Sequence, residues 1–148
     1  MPKKTTAEDA QIIMRLYDLR REPEMRKARG WFSGFWPRNA DDVVQVINAV
    51  NPQENAWFRQ VSSYWDMAAS FVLRGALNEE LFVDNSGEMF FILAKVYPFL
   101  KEVREKTQTP YLQRVEKIAT RSKDARARLQ LMLKRAEARR TAAAAKAS

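Results

Sequence analysis

Residues 53–75 read QENAWFRQVSSYWDMAASFVLRG and form the segment that decides the fold. At about 100° per residue, the large apolar side chains of this segment fall on one broad arc of a helix. The apolar arc comprises Trp57, Phe58, Val61, Tyr64, Trp65, Ala68, Phe71 and Val72. The opposite, polar stripe comprises Arg59, Ser63, Asp66, Ser70 and Arg74. This concentration of aromatic side chains on one arc predicts the core helix of a helical protein.

Capping residues divide the rest of the chain into further helices. Thr5 followed by Glu8 has the spacing of a capping box, and Asn39, Asn51 and Asn78 each precede a helical pattern. No window alternates apolar and polar residues as a half-buried strand does. The sequence therefore predicts an all-α fold, a compact bundle of about six or seven helices with a long basic C-terminal helix.

An aromatic segment, GWFSGFWPRN, occupies residues 30–39. Two glycines and a proline predict a loop there. Its aromatic residues are Trp31, Phe32, Phe35 and Trp36. They are candidates for contact with a membrane interface or a protein partner. The alternative is that they plug one end of the bundle, which is favoured because a small chain needs large side chains in its core.

Composition excludes much catalytic chemistry. The chain contains no Cys and no His, so thiolate catalysis, disulfides, cysteine-ligated metals and a Ser-His-Asp site are ruled out. No phosphate-binding glycine loop and no metal-ligand spacing is present. The prediction is a protein without enzymatic activity, cofactor or metal. Asp66, with Arg59 or Arg74, is the remaining catalytic candidate, and a structural polar stripe is the favoured interpretation of these residues.

The chain offers no evident membrane span or leader. The start, MPKKTTAEDAQ, has two lysines without an apolar segment after them, which is not the pattern of a signal peptide. The longest apolar window, residues 89–100, is interrupted by Lys95 and Pro98 and is shorter than the roughly 20 residues of a spanning helix. We therefore expect a cytoplasmic protein.

Residues 11–105 carry a recognisable pattern. An aromatic-rich helix ends in Arg-Gly, a helix containing Glu-Leu follows, and a helix opening with Pro and carrying an Arg comes next. The residues that form this pattern are Trp65, Asp66, Arg74, Gly75, Glu80, Leu81, Pro98 and Arg104. In these motifs the chain resembles a family of small all-helical bacterial proteins of unknown function. The resemblance implies an all-helical fold and no known activity.

Charge is distributed unevenly along the chain. Residues 1–112 contain 15 Lys/Arg and 15 Asp/Glu, whereas residues 113–148 contain 11 Lys/Arg and 3 Asp/Glu. After the Thr109-Pro110 pair, nothing breaks a helix from Tyr111 to Arg140. These patterns predict a neutral helical bundle at 1–110 and a basic C-terminal helix at 111–148. That helix is expected to dock at its start and to project or fray at its end.

The C-terminal helix carries a regular row of arginines. Read as heptads, every g position is arginine, and no acid occupies the e positions that would face them in a parallel pair, so a self-pairing coiled coil is disfavoured. The predicted anionic-partner site comprises Arg114, Lys117, Arg121, Arg128, Arg135 and Arg139. Its partner is predicted to be nucleic acid or an acidic protein. Peripheral contact with an anionic membrane, or a merely solvated helix end, are the alternatives, and the oligomeric state stays open.

Overall fold

The computed structural model describes residues 3–147, and within that range it contains helices and no strand. The prediction of an all-α fold with a long C-terminal helix is confirmed. The α-helices are α1 (Ala7–Arg20), α2 (Pro23–Gly34), α3 (Ala40–Ile47), α4 (Pro52–Leu73), α5 (Glu79–Asp84), α6 (Gly87–Val96), α7 (Leu100–Thr107), α8 (Gln113–Arg121) and α9 (Lys123–Ala147), and a short 3-10 helix, Tyr97–Phe99, joins α6 to α7. One reason that the helices outnumber the expectation is that the predicted C-terminal helix is divided into α8 and α9.

The helix N-termini are closed largely as their sequences indicate. The side chains of Asn39, Asn51 and Asn78 accept hydrogen bonds from the first turns of α3, α4 and α5. The capping box of α1 is displaced by one residue from its predicted place. Thr6, and not Thr5, is the N-cap, because the carboxylate of Asp9 accepts the Thr6 backbone N–H at 2.8 Å.

Helix α4 is the core helix, as predicted. Phe58, Val61, Trp65 and Ala68 are all buried. Its polar stripe is also covered in part, because α8 packs across it. Asp66 of that stripe illustrates this contact, since its Oδ1 accepts the backbone N–H of Arg114, in the first turn of α8, at 3.0 Å.

The aromatic segment does not form the predicted loop at its start. Helix α2 continues through Gly30 and ends at Gly34. Glycine inside a helix costs only about 1 kcal/mol. The burial of Phe32, which stacks on Phe58 with ring centroids 5.5 Å apart, outweighs that cost.

The prediction of one unbroken helix from Tyr111 to Arg140 is wrong. The chain is extended at Ser122, with φ −104° and ψ 159°, and this residue separates α8 from α9. Its hydroxyl accepts the backbone N–H of Ala125 at 3.0 Å, so Ser122 caps α9. The break lets α9 turn back onto α6 and α8.

Docking of the C-terminal helix extends well beyond its start. Leu129 and Ala136 are buried in the contact of α9 with the bundle. Further along, Arg140 donates to the backbone oxygens of Pro37 and Lys95, each at 3.0 Å. Residues 141–147 are exposed. None of the helices described in residues 3–147 has the length and apolarity required to cross a bilayer.

Candidate anion-binding interface on the C-terminal helices

Asp66 is a helix cap supplied from another helix. The N-cap position of α8 is Leu112, which adopts the left-handed conformation with φ 55° and has no side chain able to cap. Asp66 on α4 replaces the missing cap, because its Oδ1 accepts the backbone N–H groups of Arg114 at 3.0 Å and Val115 at 3.2 Å. The carboxylate also lies at the positive end of the α8 dipole.

The remaining members of the polar stripe do not assemble with Asp66 into a reactive cluster. The second carboxylate oxygen of Asp66 accepts from the Arg114 guanidinium at 2.9 Å. Arg59 lines the same open cleft as Asp66 but donates to Asn55 at 3.0 Å. Arg74 lies at the far end of α4 and does not line this cleft. The contacts of Asp66 therefore give it a structural role.

The first three arginines of the row pair with acids of the bundle itself. Arg114 binds Asp66, and Arg121 binds Glu79 on α5 at 2.9 Å. Arg128 binds Asp84 of α5 at 2.9 Å. The three arginine side chains are 58%, 49% and 40% exposed, so each pair contributes at most about 1 kcal/mol. Together these pairs join α8 and the start of α9 to α4 and α5.

The second part of the row is free. Arg135 and Arg139 are exposed on α9, and neither makes an ion pair or side-chain hydrogen bond within residues 3–147. They lie about one helical turn apart on one flank of α9. Lys117 is also exposed but belongs to α8, on the other side of the break at Ser122. The six predicted residues thus do not share one continuous stripe.

Lys95 is a buried lysine, whereas the sequence pattern indicates only an interruption of an apolar window. Its ammonium donates to the backbone oxygens of Phe32 and, at 3.1 Å, Ser33, in the last turn of α2. The ring of Trp36 lies 4.1 Å away and that of Phe91 4.9 Å away. Burial, helped by the nearby charges of Arg139 and Arg140, lowers the pKa of Lys95 to about 7. A lone lysine in an apolar, aromatic-rich helix was the available signal.

The four aromatics of residues 31–36 pack onto the bundle. Phe32 is buried, and Trp31 stacks on Phe35 with ring centroids 5.0 Å apart. Trp36 covers the ammonium of Lys95. These contacts favour the plug over the exposed anchor.

Fold and surface together define an all-helical domain extended by a docked basic helix. The chain belongs to the family described as a domain of unknown function (DUF4760), which it matches over residues 5–122. The resemblance to a helical family of unknown function is thereby confirmed. No curated protein and no solved structure matches the chain. The family match ends at the break between α8 and α9, so membership carries no information about the basic face of α9.

Proposed function

We propose that this protein is a non-enzymatic interaction protein that binds an anionic partner, with nucleic acid as the first candidate. The observation that supports this proposal is the pair of exposed arginines, Arg135 and Arg139, without carboxylate partners in the described chain. Lys134 and Lys146 add exposed charge nearby. Because these cations have no internal partners, they can bind phosphates without breaking an ion pair within the protein.

The surface proposed is smaller than the full arginine row. A ligand contacting Arg121 or Arg128 would have to compete with Glu79 and Asp84 for the same guanidinium groups. The free end of α9 offers two to four cations, so binding depends on salt with a log–log slope of about −2 to −4 and carries no base readout.

An acidic protein is the second candidate. Leu131 is 51% exposed on α9 and lies one turn before Arg135. An apolar side chain beside a cation is typical of a protein interface, where it supplies the buried anchor. A peripheral membrane role has less support, because the aromatic residues it needs are packed onto the bundle.

Point variants test this proposal better than truncation, since deletion of α9 would expose the core around Leu129 and Ala136. Fluorescence anisotropy of mixed-sequence DNA and RNA oligomers is measured over a salt series. The Arg135→Gln/Arg139→Gln variant is expected to reduce the magnitude of the log–log salt slope by about two. It is also expected to lose most of the affinity at low salt. The matched control, Arg121→Gln/Arg128→Gln, removes the same charge from the paired part of the row.

Equal weakening by both double variants would contradict a localised site, because only net charge would then matter. Absence of binding by the unmodified protein at low salt would eliminate nucleic acid. Titration with a poly-glutamate peptide then tests the acidic-protein candidate, with Arg135→Gln/Arg139→Gln as the variant expected to weaken that complex.

A further inference from the structure

A cleft of about 390 Å³ separates α2 from α6. On α2 it is lined by the stripe Arg26, Arg29, Gly30 and Ser33, and on α6 by Glu88 and Phe91. Both sets follow helical spacing, so one face of each helix borders the cleft. Its volume lies at the lower end of the about 300–1,000 Å³ typical of small-molecule pockets.

Polar contacts close the cleft at both ends. At one end, Arg29 Nε donates to Glu88 Oε2 at 2.7 Å. At the other end, the ammonium of Lys95 donates to the Ser33 backbone oxygen at 3.1 Å. Between these contacts the wall includes the apolar side chains of Val61 and Ile92, both buried. The result is a trough of mixed lining, polar at these two contacts and apolar between them.

The charges around the cleft do not balance. Glu88 is engaged by Arg29 and also accepts the indole N–H of Trp65 at 3.0 Å. Arg26 makes no ion pair and no side-chain hydrogen bond with any residue in the described range. Lys95 lies behind the wall, where its side-chain nitrogen donates to the Ser33 backbone oxygen at 3.1 Å. One accessible cation therefore stands at the mouth without a counter-charge.

Gly30 keeps the middle of the cleft open. It lies inside α2, where glycine costs about 1 kcal/mol relative to alanine. A Cβ added at this position would meet nothing within 4 Å, so close packing does not require glycine. Any larger side chain would instead occupy the trough, whose wall Gly30 helps to form.

We infer that this cleft binds a small organic carboxylate whose apolar body lies against Phe91 and Ile92 and whose charged group meets Arg26. A single uncompensated cation matches a single negative charge, which favours a carboxylate over a phosphate dianion. The planar guanidinium binds a carboxylate through two parallel hydrogen bonds. The open backbone at Gly30 admits the body of the ligand.

The test uses decanoate as the probe, titrated calorimetrically into the full chain, with 1-decanol and decyl phosphate as head-group controls. Decanoate is expected to bind more tightly than decanol, and Arg26→Gln to weaken decanoate at least tenfold while leaving decanol unchanged. Gly30→Leu fills the trough and is expected to abolish binding of both. Its matched control is Gly34→Leu, on the same helix but outside the cleft, and Arg15→Gln is the control for net charge.

Localisation is read from amide chemical shifts, with Gly30 and Ser33 expected to move on titration and residues of α9 to stay. Circular dichroism of Gly30→Leu must retain the helical signal, which helix propensity favours since leucine replaces glycine. Equal affinity for decanoate and decanol, or an unchanged affinity in Arg26→Gln, would overturn the assignment. Tighter binding of decyl phosphate would transfer the site to phosphate esters and refute the carboxylate.

Discussion

The arginine row of the C-terminal helices has two parts that read alike in sequence and differ in structure. Arg114, Arg121 and Arg128 each meet an acid on α4 or α5, whereas Arg135 and Arg139 meet none in the described chain. Arginines at the same regular spacing are therefore paired with acids in one part of the tail and unpaired in the other. The first part pairs with acids of its own bundle, and only the second part is proposed as a surface for another molecule.

The contrast also has an energetic side. Exposed ion pairs are worth little individually, so the paired part is held mainly by the apolar face beneath it. That face continues through Leu129 and Ala136, beneath the free arginines as well. The free cations thus stand on a rigidly docked helix, which presents them without the ordering cost of a disordered tail.

The largest expected effect comes from removing the apolar support. Leu129→Ala deletes a side chain that is 2% exposed and is expected to lower the free energy of unfolding by about 2–5 kcal/mol. Leu131→Ala, two residues away on the same helix and 51% exposed in the parent, is expected to change it by less than about 0.5 kcal/mol. Urea denaturation measures both. Equal losses would show that α9 is not docked through this face.

The general architecture was accessible from the sequence because it depends on local signals. Caps at Asn39, Asn51 and Asn78 and the aromatic arc of α4 each act within a few residues. Two local signals were outweighed or missed. Gly30 does not end α2, because burial of its neighbours outweighs the cost of glycine in a helix. Ser122 does break the tail, and its ability to cap a helix, together with Asp124 in the first turn that follows, is the signal for this break.

The sites were less accessible because they depend on contacts between distant parts of the chain. The acids that pair with Arg121 and Arg128 lie more than 40 positions earlier, and heptad analysis considers only the tail itself. The sequence assigns Asp66 to a structural polar stripe but does not reveal the helix that it caps, because Arg114 of α8 lies 48 positions later. The apolar window around Lys95 is only a weak sign of its burial, because a lysine in such a window more often interrupts a core than occupies it.

The second prediction concerns Lys95, where the bundle meets the free end of α9. Its folded-state pKa of about 7 lies below the ordinary value of 10.5, so between these pH values the unfolded chain binds a proton that the folded chain does not. Stability should therefore rise with pH above 7, by up to about 1.4 kcal/mol per pH unit. The Lys95→Met variant should lack this rise.

The measurement is the difference in unfolding free energy between the two proteins, followed from pH 7 toward pH 10. The tyrosines set the upper limit of the pH range in which this measurement is made. Burial raises the pKa of Tyr64 to about 12, from an ordinary value of 10.0, so its protonated folded form makes stability fall above pH 10. A difference that does not change with pH would mean that Lys95 keeps its proton throughout, held by the carbonyls of α2.

The third prediction separates the cap from the ion pair at Asp66. Asp66→Ala removes the acceptor for two backbone N–H groups of α8 and should cost about 0.5–2 kcal/mol. Asp66→Asn keeps an oxygen acceptor and loses the charge, so its cost should be smaller. Urea denaturation at low and high salt distinguishes the two contributions, because only the ion pair is screened. Equal costs in both variants would assign the effect to the charge rather than the cap.

The smallest effect tests the comparison of the two parts directly. Arg121→Gln removes the pair with Glu79 and should lower the unfolding free energy by about 0.2–1 kcal/mol at low salt and by less at high salt. Arg135→Gln removes an equal charge that has no partner in residues 3–147, and should leave stability unchanged or slightly improved, since it relieves repulsion with neighbouring cations. Binding should show the reverse order, with Arg135→Gln the more damaging. If one variant impaired both stability and binding, the two parts of the row would not differ in function. The proposed division between arginines that pair with the bundle and arginines that bind a partner would then be contradicted.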